Sequence, residues 1–155
     1  MPKFSKASKT KLSQLHPDLQ DILKTAIECV NFKIVCGYRD QDVQVELYEK
    51  GRRFDTNLGK WIVTNQKKVV TNCDGYKKKS KHNVEPSQAV DIMPYFRNAP
   101  HIDWKKEALF DICFLIGYIQ SVADSYGIKI RVGCKWNKNT IRDNQFRDFP
   151  HIELV

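Results

Sequence analysis

Two short clusters of ligand-type side chains, far apart along the chain, constrain its fold more than any other feature. One runs Ser80-Lys81-His82 and then Ser87-Gln88-Ala89-Val90-Asp91; the other is Asp148-Phe149-Pro150-His151-Ile152-Glu153. Only a folded core can bring the two together. Two histidines and a carboxylate suffice to hold Zn²⁺ and leave a fourth position open, as catalytic zinc requires. Asp148, three residues before His151, adds a second carboxylate of the kind that serves as a general base.

Side chains two apart on a strand share a face. Ala89, Asp91 and Met93 therefore fall together, as do His151 and Glu153. A carboxylate within Ala-Val-Asp-Ile-Met is poorly solvated, and a buried carboxylate needs a cation or several hydrogen bonds. Taken singly, each residue has a plainer reading. Asp91 could be half of a salt bridge, His82 an exposed loop histidine, His151 a structural histidine and Glu153 a surface charge. The combined pattern favours metal ligation by His82, Asp91 and His151, with Glu153 orienting a ligand from behind. His16 and His101 each stand beside a proline without a partner at ligand spacing, and are read as structural or surface residues.

Along the chain, residues 1–12 read as a loose basic arm or a partly ordered lead. Pro17 stands at a helix start with Asp18 in the first turn, and Leu19, Ile22, Leu23, Ala26 and Ile27 fall on one face. Phe32 to Cys36 reads as a strand ended by Gly37. Asp40 to Lys50 reads as a helix with Val43, Leu47 and Tyr48 inward and Gly51 at its C-cap. Residues 51–80 are polar and irregular, with short strands expected at Trp61-Ile62-Val63 and Val69-Val70-Thr71. Val90 to Met93 reads as a buried strand. Asp103 is placed to cap a long helix from Trp104 to about Ser125, with Ala108, Ile112, Leu115, Ile116, Ile119, Val122 and Ala123 inside. Strands follow at Ile128 to Val132 and His151 to Leu154. This order lacks strict β-α-β alternation, so the fold class expected is α+β, a small mostly antiparallel sheet with flanking helices.

At 155 residues, with 41% hydrophobic and 28% charged residues, the chain is expected to form one domain over residues 1–155 with a sizeable core. No apolar run approaches the ~20 residues of a transmembrane helix. The basic, polar segment from Met1 to Lys11 is not a signal peptide. Cys29, Cys36 and Cys113 lie in apolar runs and read as reduced core residues, whereas Cys73 and Cys134 lie in polar stretches and read as more exposed. The net charge of +8 suits an anionic partner, whether nucleic acid, anionic lipid or a cell-envelope polymer, and charge alone does not choose among them. No helix-turn-helix, zinc-finger or single-strand-binding signature points to specific nucleic acid.

The ordered set of motifs resembles the zinc D,D-peptidase family. That family includes D-alanyl-D-alanine carboxypeptidases, vancomycin-resistance dipeptidases and phage L-alanyl-D-glutamate endopeptidases. Ser80, His82, Ala89 and Asp91 match the first half of its pattern, and Asp148 and His151 match the second. Gly37-Tyr38-Arg39 looks like the family's G-[YF]-R element, followed by Gln44, Leu47, Tyr48 and Gly51-Arg52. Leu15-His16-Pro17-Asp18-Leu19 resembles the opening of the phage branch, and Ile130-Arg131-Val132-Gly133 with Trp136 a strand near its end. The nine steps from His82 to Asp91 exceed the commonest family interval, and Ser87 replaces a Gly, so this chain has a longer loop between the two ligands.

The resemblance implies a Hedgehog-like D,D-peptidase fold and one Zn²⁺ held by His82, Asp91 and His151. It also implies Asp148 as general base and Arg39 at the developing oxyanion. Ser80, Gln44, Glu153, Trp136 and Tyr38 would line or support the site. The expected substrate is the peptidoglycan stem peptide, cut at the L-Ala–D-Glu bond by a monomeric endolysin. Such an enzyme is made in the host cytoplasm and reaches the wall after a separate factor opens the membrane. Two other readings compete. One is a D,D-carboxypeptidase or dipeptidase of the same chemistry; the other is a non-catalytic basic module binding nucleic acid or envelope polymer.

Overall fold

Amphipathic helices and alternating strands become, in a computed structural model describing residues 1–105, 108–136 and 148–155, an α+β fold. The order is α1 (Lys6–Leu12), α2 (Pro17–Ala26), β1 (Phe32–Cys36), α3 (Gln41–Glu49), β2 (Arg52–Asp55), β3 (Lys60–Val63), β4 (Ala89–Pro94), α4 (Leu109–Ser125), β5 (Ile130–Val132) and β6 (His151–Leu154). The chain divides into two compact units. The first comprises Met1–Tyr38 with Glu85–Val155, and the second Arg39–Val84.

The first unit is built on a four-stranded antiparallel sheet in the order β1-β4-β6-β5. Its register pairs Ile34 with Ile92, and Val90 with Ile152. Paired residues in an antiparallel sheet point to the same side. Phe32, Ile34, Val90, Ile92 and Ile152 therefore form one apolar face. They join Leu19, Ile22, Leu23, Leu115 and Ile119 of α2 and α4 in a single buried core. Each such side chain contributes about 1.5–3 kcal/mol through burial. The seven positions assigned to the inner face of the long helix, Ala108 to Ala123, are all buried.

The sheet's other face carries polar and sulfur side chains. Cys36 pairs with Asp91, and Asp91 pairs with His151. The first pairing depends on a register shift between Ile34 and Cys36, which leaves Val35 as the extra residue of a β-bulge. Lys11 secures that bulge by donating from Nζ to the Val35 carbonyl.

Residues 1–12 are therefore not a loose arm. Ser5 caps α1 by accepting from the Ser8 N–H at 3.2 Å, and Ser8 and Leu12 are buried. β1 is an edge strand, and α1 lies along it. Covering an open edge explains why so polar a segment is ordered.

In the second unit, Asp40 caps α3 by accepting from the Val43 N–H at 2.9 Å. The chain leaves the helix through Gly51 at φ 77°, a conformation suited to glycine. The helix does not turn Val43 inward. Val43 is 42% exposed, and Gln44 is the fully buried residue. β3 forms as expected and pairs with β2, whereas residues 69–71, expected as a strand, form none. The Asp55 carboxylate closes that hairpin by accepting from the Asn57 and Leu58 N–H groups, each at 3.0 Å. Trp61 packs edge-on against Tyr48 and Phe54.

Back in the first unit, α4 starts at Leu109, later than Trp104. Asp103 caps only a local turn at the Lys105 N–H, and Trp104 is exposed; residues 106 and 107 of the expected helix lie outside those described. The cysteine reading is also corrected. Cys29 is exposed and Cys134 is buried, because Cys29 follows the end of α2 while Cys134 sits in the turn after β5. Burial pushes the Cys134 thiol up, and neighbouring Cys113 adds to this. Brief alkylation of the native protein should label Cys29 and spare Cys134, read by peptide mass spectrometry; equal labelling would contradict this packing.

Candidate functional site

The strongest polar constellation surrounds His151 on the sheet face of the first unit. Its Nδ1 lies 3.1 Å from Asp91 Oδ1, and its Nε2 lies 3.0 Å from Glu153 Oε2. A neutral imidazole has one donor and one acceptor nitrogen, whereas ionised carboxylates only accept. Both contacts are satisfied if the ring is doubly protonated, or if a cation replaces the proton on one nitrogen. The donor set therefore suits a metal ion shared between Asp91 and the Nδ1 side, with Glu153 accepting from Nε2–H behind the ring.

Glu153 is held from its other side by Arg131, which donates from Nε at 2.9 Å and also from Nη2. Burial raises the Glu153 pKa, but the hydrogen bonds from His151 and Arg131 and their charges outweigh it and hold the group below its ordinary value. The Arg131 guanidinium lies over the Trp136 ring, 4.9 Å from its centroid. Trp136 in turn packs at a 40° tilt against the His151 ring, with centroids 5.2 Å apart. His151 is thus fixed by two carboxylates and an indole wall.

The approach of Asp148 is set by a glycine. The Asp148 N–H donates to the Gly133 carbonyl at 3.0 Å, and the His151 N–H donates to the Asp148 carbonyl at 3.1 Å. A Cβ on Gly133 would come within 2.3 Å of the Asp148 carbonyl oxygen and 3.0 Å of His151 Cβ. Only glycine lets this turn lie against the sheet. Cys36 completes the row, its Sγ within 4.8 Å of an Asp91 carboxylate oxygen. Tyr38 follows two residues later and is half-buried.

The second unit holds the remaining sequence-derived residues. His82 lies in a short 3₁₀ turn and is buried, not exposed in a loop. Ser80 Oγ accepts from the His82 N–H at 3.3 Å, so this serine shapes the histidine's turn. The Arg39 N–H donates to the His82 carbonyl at 2.8 Å, and Asn83 Nδ2 donates to the Arg39 carbonyl at 3.0 Å. Arg39 Nη1 donates to Gln44 Oε1 at 3.1 Å, while Gln44 Nε2 donates to the Cys73 carbonyl at 2.7 Å. Arg39, Gln44, Ser80 and His82 thus form one hydrogen-bonded group.

His16 and His101, read as structural or surface residues, make local contacts. His16 Nδ1 accepts from the Asp18 N–H at 3.3 Å and caps α2, and His101 stacks on Tyr95. Sequence reasoning placed Cys36 in the core, which its half-burial and its pairing with Asp91 correct, and gave the Arg131 side chain no role. Arg131 pairs with Glu153 across β5 and β6, which strand alternation could have suggested. Nothing in the local sequence announces the bulge that places Cys36.

The fold has a counterpart among solved structures. It is similar to the crystal structure of the Serratia marcescens L-Ala D-Glu endopeptidase ChiX. The TM-score is 0.64 at 20% identity, over 98% of this chain and 89% of that one. No curated protein matches the sequence. The profile of the phage L-alanyl-D-glutamate peptidases matches residues 1–155, and the chain belongs to that family. It is a peptidase of the peptidoglycan-hydrolysing, phage type, which selects the first of the three readings drawn from the sequence. No helix among the described residues is long and apolar enough to cross a membrane.

Gly133→Ala should lower stability by about 1–3 kcal/mol in urea unfolding, because the added methyl must push the Asp148 turn off the sheet. The same variant should cut wall-digesting activity more than its folded fraction declines. Unchanged stability and activity would show that the turn has room.

Proposed function

We propose that the chain, as one domain over residues 1–155, is a zinc-dependent endopeptidase that cuts the L-Ala–D-Glu bond of peptidoglycan stem peptides. The observation that carries the metal reading is the His151 ring set between Asp91 and Glu153. His82, Asp91 and His151 would hold the ion, as the two-cluster motif suggests. Zinc bound there supplies Lewis acidity, which eases deprotonation of water and polarises a carbonyl. Imidazole and carboxylate donors are compatible with zinc.

The protein's own groups do the rest. Asp148 accepts the proton of the attacking water and returns it to the leaving amine. Arg39, oriented by Gln44, donates hydrogen bonds to the oxyanion that develops on the scissile carbonyl. Ser80 holds the His82 turn, and Trp136 walls the ring of His151. Glu153 accepts from His151 Nε2–H, fixes the tautomer and is itself steadied by Arg131. Tyr38 completes the cleft wall. The net charge of +8 draws the enzyme to an anionic envelope. It acts as a monomer, without a nucleic-acid partner, on the wall of the cell whose cytoplasm made it, once a separate factor has permeabilised the membrane.

Digestion of purified peptidoglycan, with products read by mass spectrometry, tests the proposal. New amino termini at D-Glu should appear with the zinc-loaded protein and vanish with a chelator or with His151→Ala. Release of D-alanine alone would overturn the bond assignment. Asp148→Asn should reduce turnover roughly 100- to 10,000-fold while zinc still binds; full activity would remove it as the base. Glu153→Gln should weaken zinc binding about 10- to 100-fold in competition with a chromophoric chelator, and an unchanged affinity would reduce Glu153 to a packing role.

A further inference from the structure

We propose that Cys36 is a sulfur donor to the same metal site, so that the resting site has four protein ligands: Cys36, His82, Asp91 and His151. The inference rests on the metal reading above and extends it. Antiparallel register sets Cys36, Asp91 and His151 side by side on three neighbouring strands, all on the face opposite the apolar core. The Cys36 Sγ lies within 4.8 Å of an Asp91 carboxylate oxygen, and Asp91 lies 3.1 Å from His151 Nδ1. The bulge at Val35 makes this possible. It brings Cys36 opposite Asp91, and the Lys11 ammonium on the Val35 carbonyl holds it there.

Thiolate is a strong ligand for zinc and other borderline or soft ions. On binding, the thiol releases its proton to solvent and the sulfur lone pair fills a coordination position. Four protein donors are typical of a closed site, whereas catalysis needs an open one. The sulfur therefore guards the metal at rest and must yield its place before the peptide is cut. It also gives the site a preference for thiophilic ions that a purely imidazole and carboxylate set lacks.

The test uses the full chain loaded with Co²⁺ in place of zinc, with bound metal measured independently. One equivalent of cobalt with a thiolate-to-cobalt charge-transfer absorption in the near ultraviolet, lost in both Cys36→Ser and Cys36→Ala, supports the proposal. Zinc should also slow alkylation of Cys36 by iodoacetamide roughly tenfold, since a coordinated thiolate is a poorer nucleophile, with Cys29 as the unprotected reference. Cobalt bound without that absorption, and alkylation untouched by zinc, would overturn the sulfur ligand and leave the metal reading intact. An absorption that survives both substitutions would assign the sulfur to another cysteine and overturn the proposal. No cobalt bound to the folded wild-type chain would remove both readings. Circular dichroism of each variant guards against misfolding, and the alkylation arm needs no variant at all.

Discussion

One imidazole ring can satisfy two carboxylates only if it carries two protons or a metal takes the place of one of them, and His151 faces two. Much of the first unit's functional face follows from that demand. Asp91 must sit on the strand beside β6, in register with His151. Glu153 must sit two residues further along, on the same face. A buried Glu153 beside Asp91 would concentrate negative charge, and Arg131 offsets it from the opposite strand. Trp136 closes the arrangement by packing against both Arg131 and His151. The ring is held in one orientation, which is what a metal ligand requires.

This face can be polar because the other is not. Period-two alternation hands Val90, Ile92 and Ile152 to the core and Asp91, His151 and Glu153 to the site, from the same short strands. A one-residue slip of β6 would exchange the two sets, burying charge in the core. The apolar face thus enforces the register of the chemical one. Gly133 adds a constraint that alternation cannot supply. It lets the Asp148 turn approach to a distance that any side chain would forbid.

The second unit solves a different problem, the positioning of Arg39 and His82 in a polar, irregular stretch. Here a buried polar side chain does what an apolar core does elsewhere. Gln44 accepts from Arg39 and donates to the Cys73 carbonyl, so its amide is satisfied on both sides while buried. The backbone of Arg39 is tied to His82 and Asn83 at both its N–H and its carbonyl. A satisfied polar network of this kind specifies one arrangement more tightly than apolar packing would, since each unmet partner carries a desolvation cost.

The order of elements and most of the candidate site were legible because they rest on local rules. Helix stripes at Leu19 to Ala26 and Ala108 to Ala123, the alternation around Asp91, and the Asp-x-x-His spacing can be read without knowing the fold. What escaped depends on partners distant in sequence. α1 is ordered because β1 is an edge strand, a property of the sheet and not of residues 1–12. Gln44 displaced Val43 from the interior because its partners Arg39 and Cys73 await it there, against a simple apolar count. Cys36 reaches Asp91 only through a one-residue bulge, and strict alternation along Phe32 to Cys36 places it with Phe32 and Ile34 on the core face. Periodicity fails at that residue because the backbone there departs from the pleat, and such departures gather where a side chain must be re-aimed toward a site.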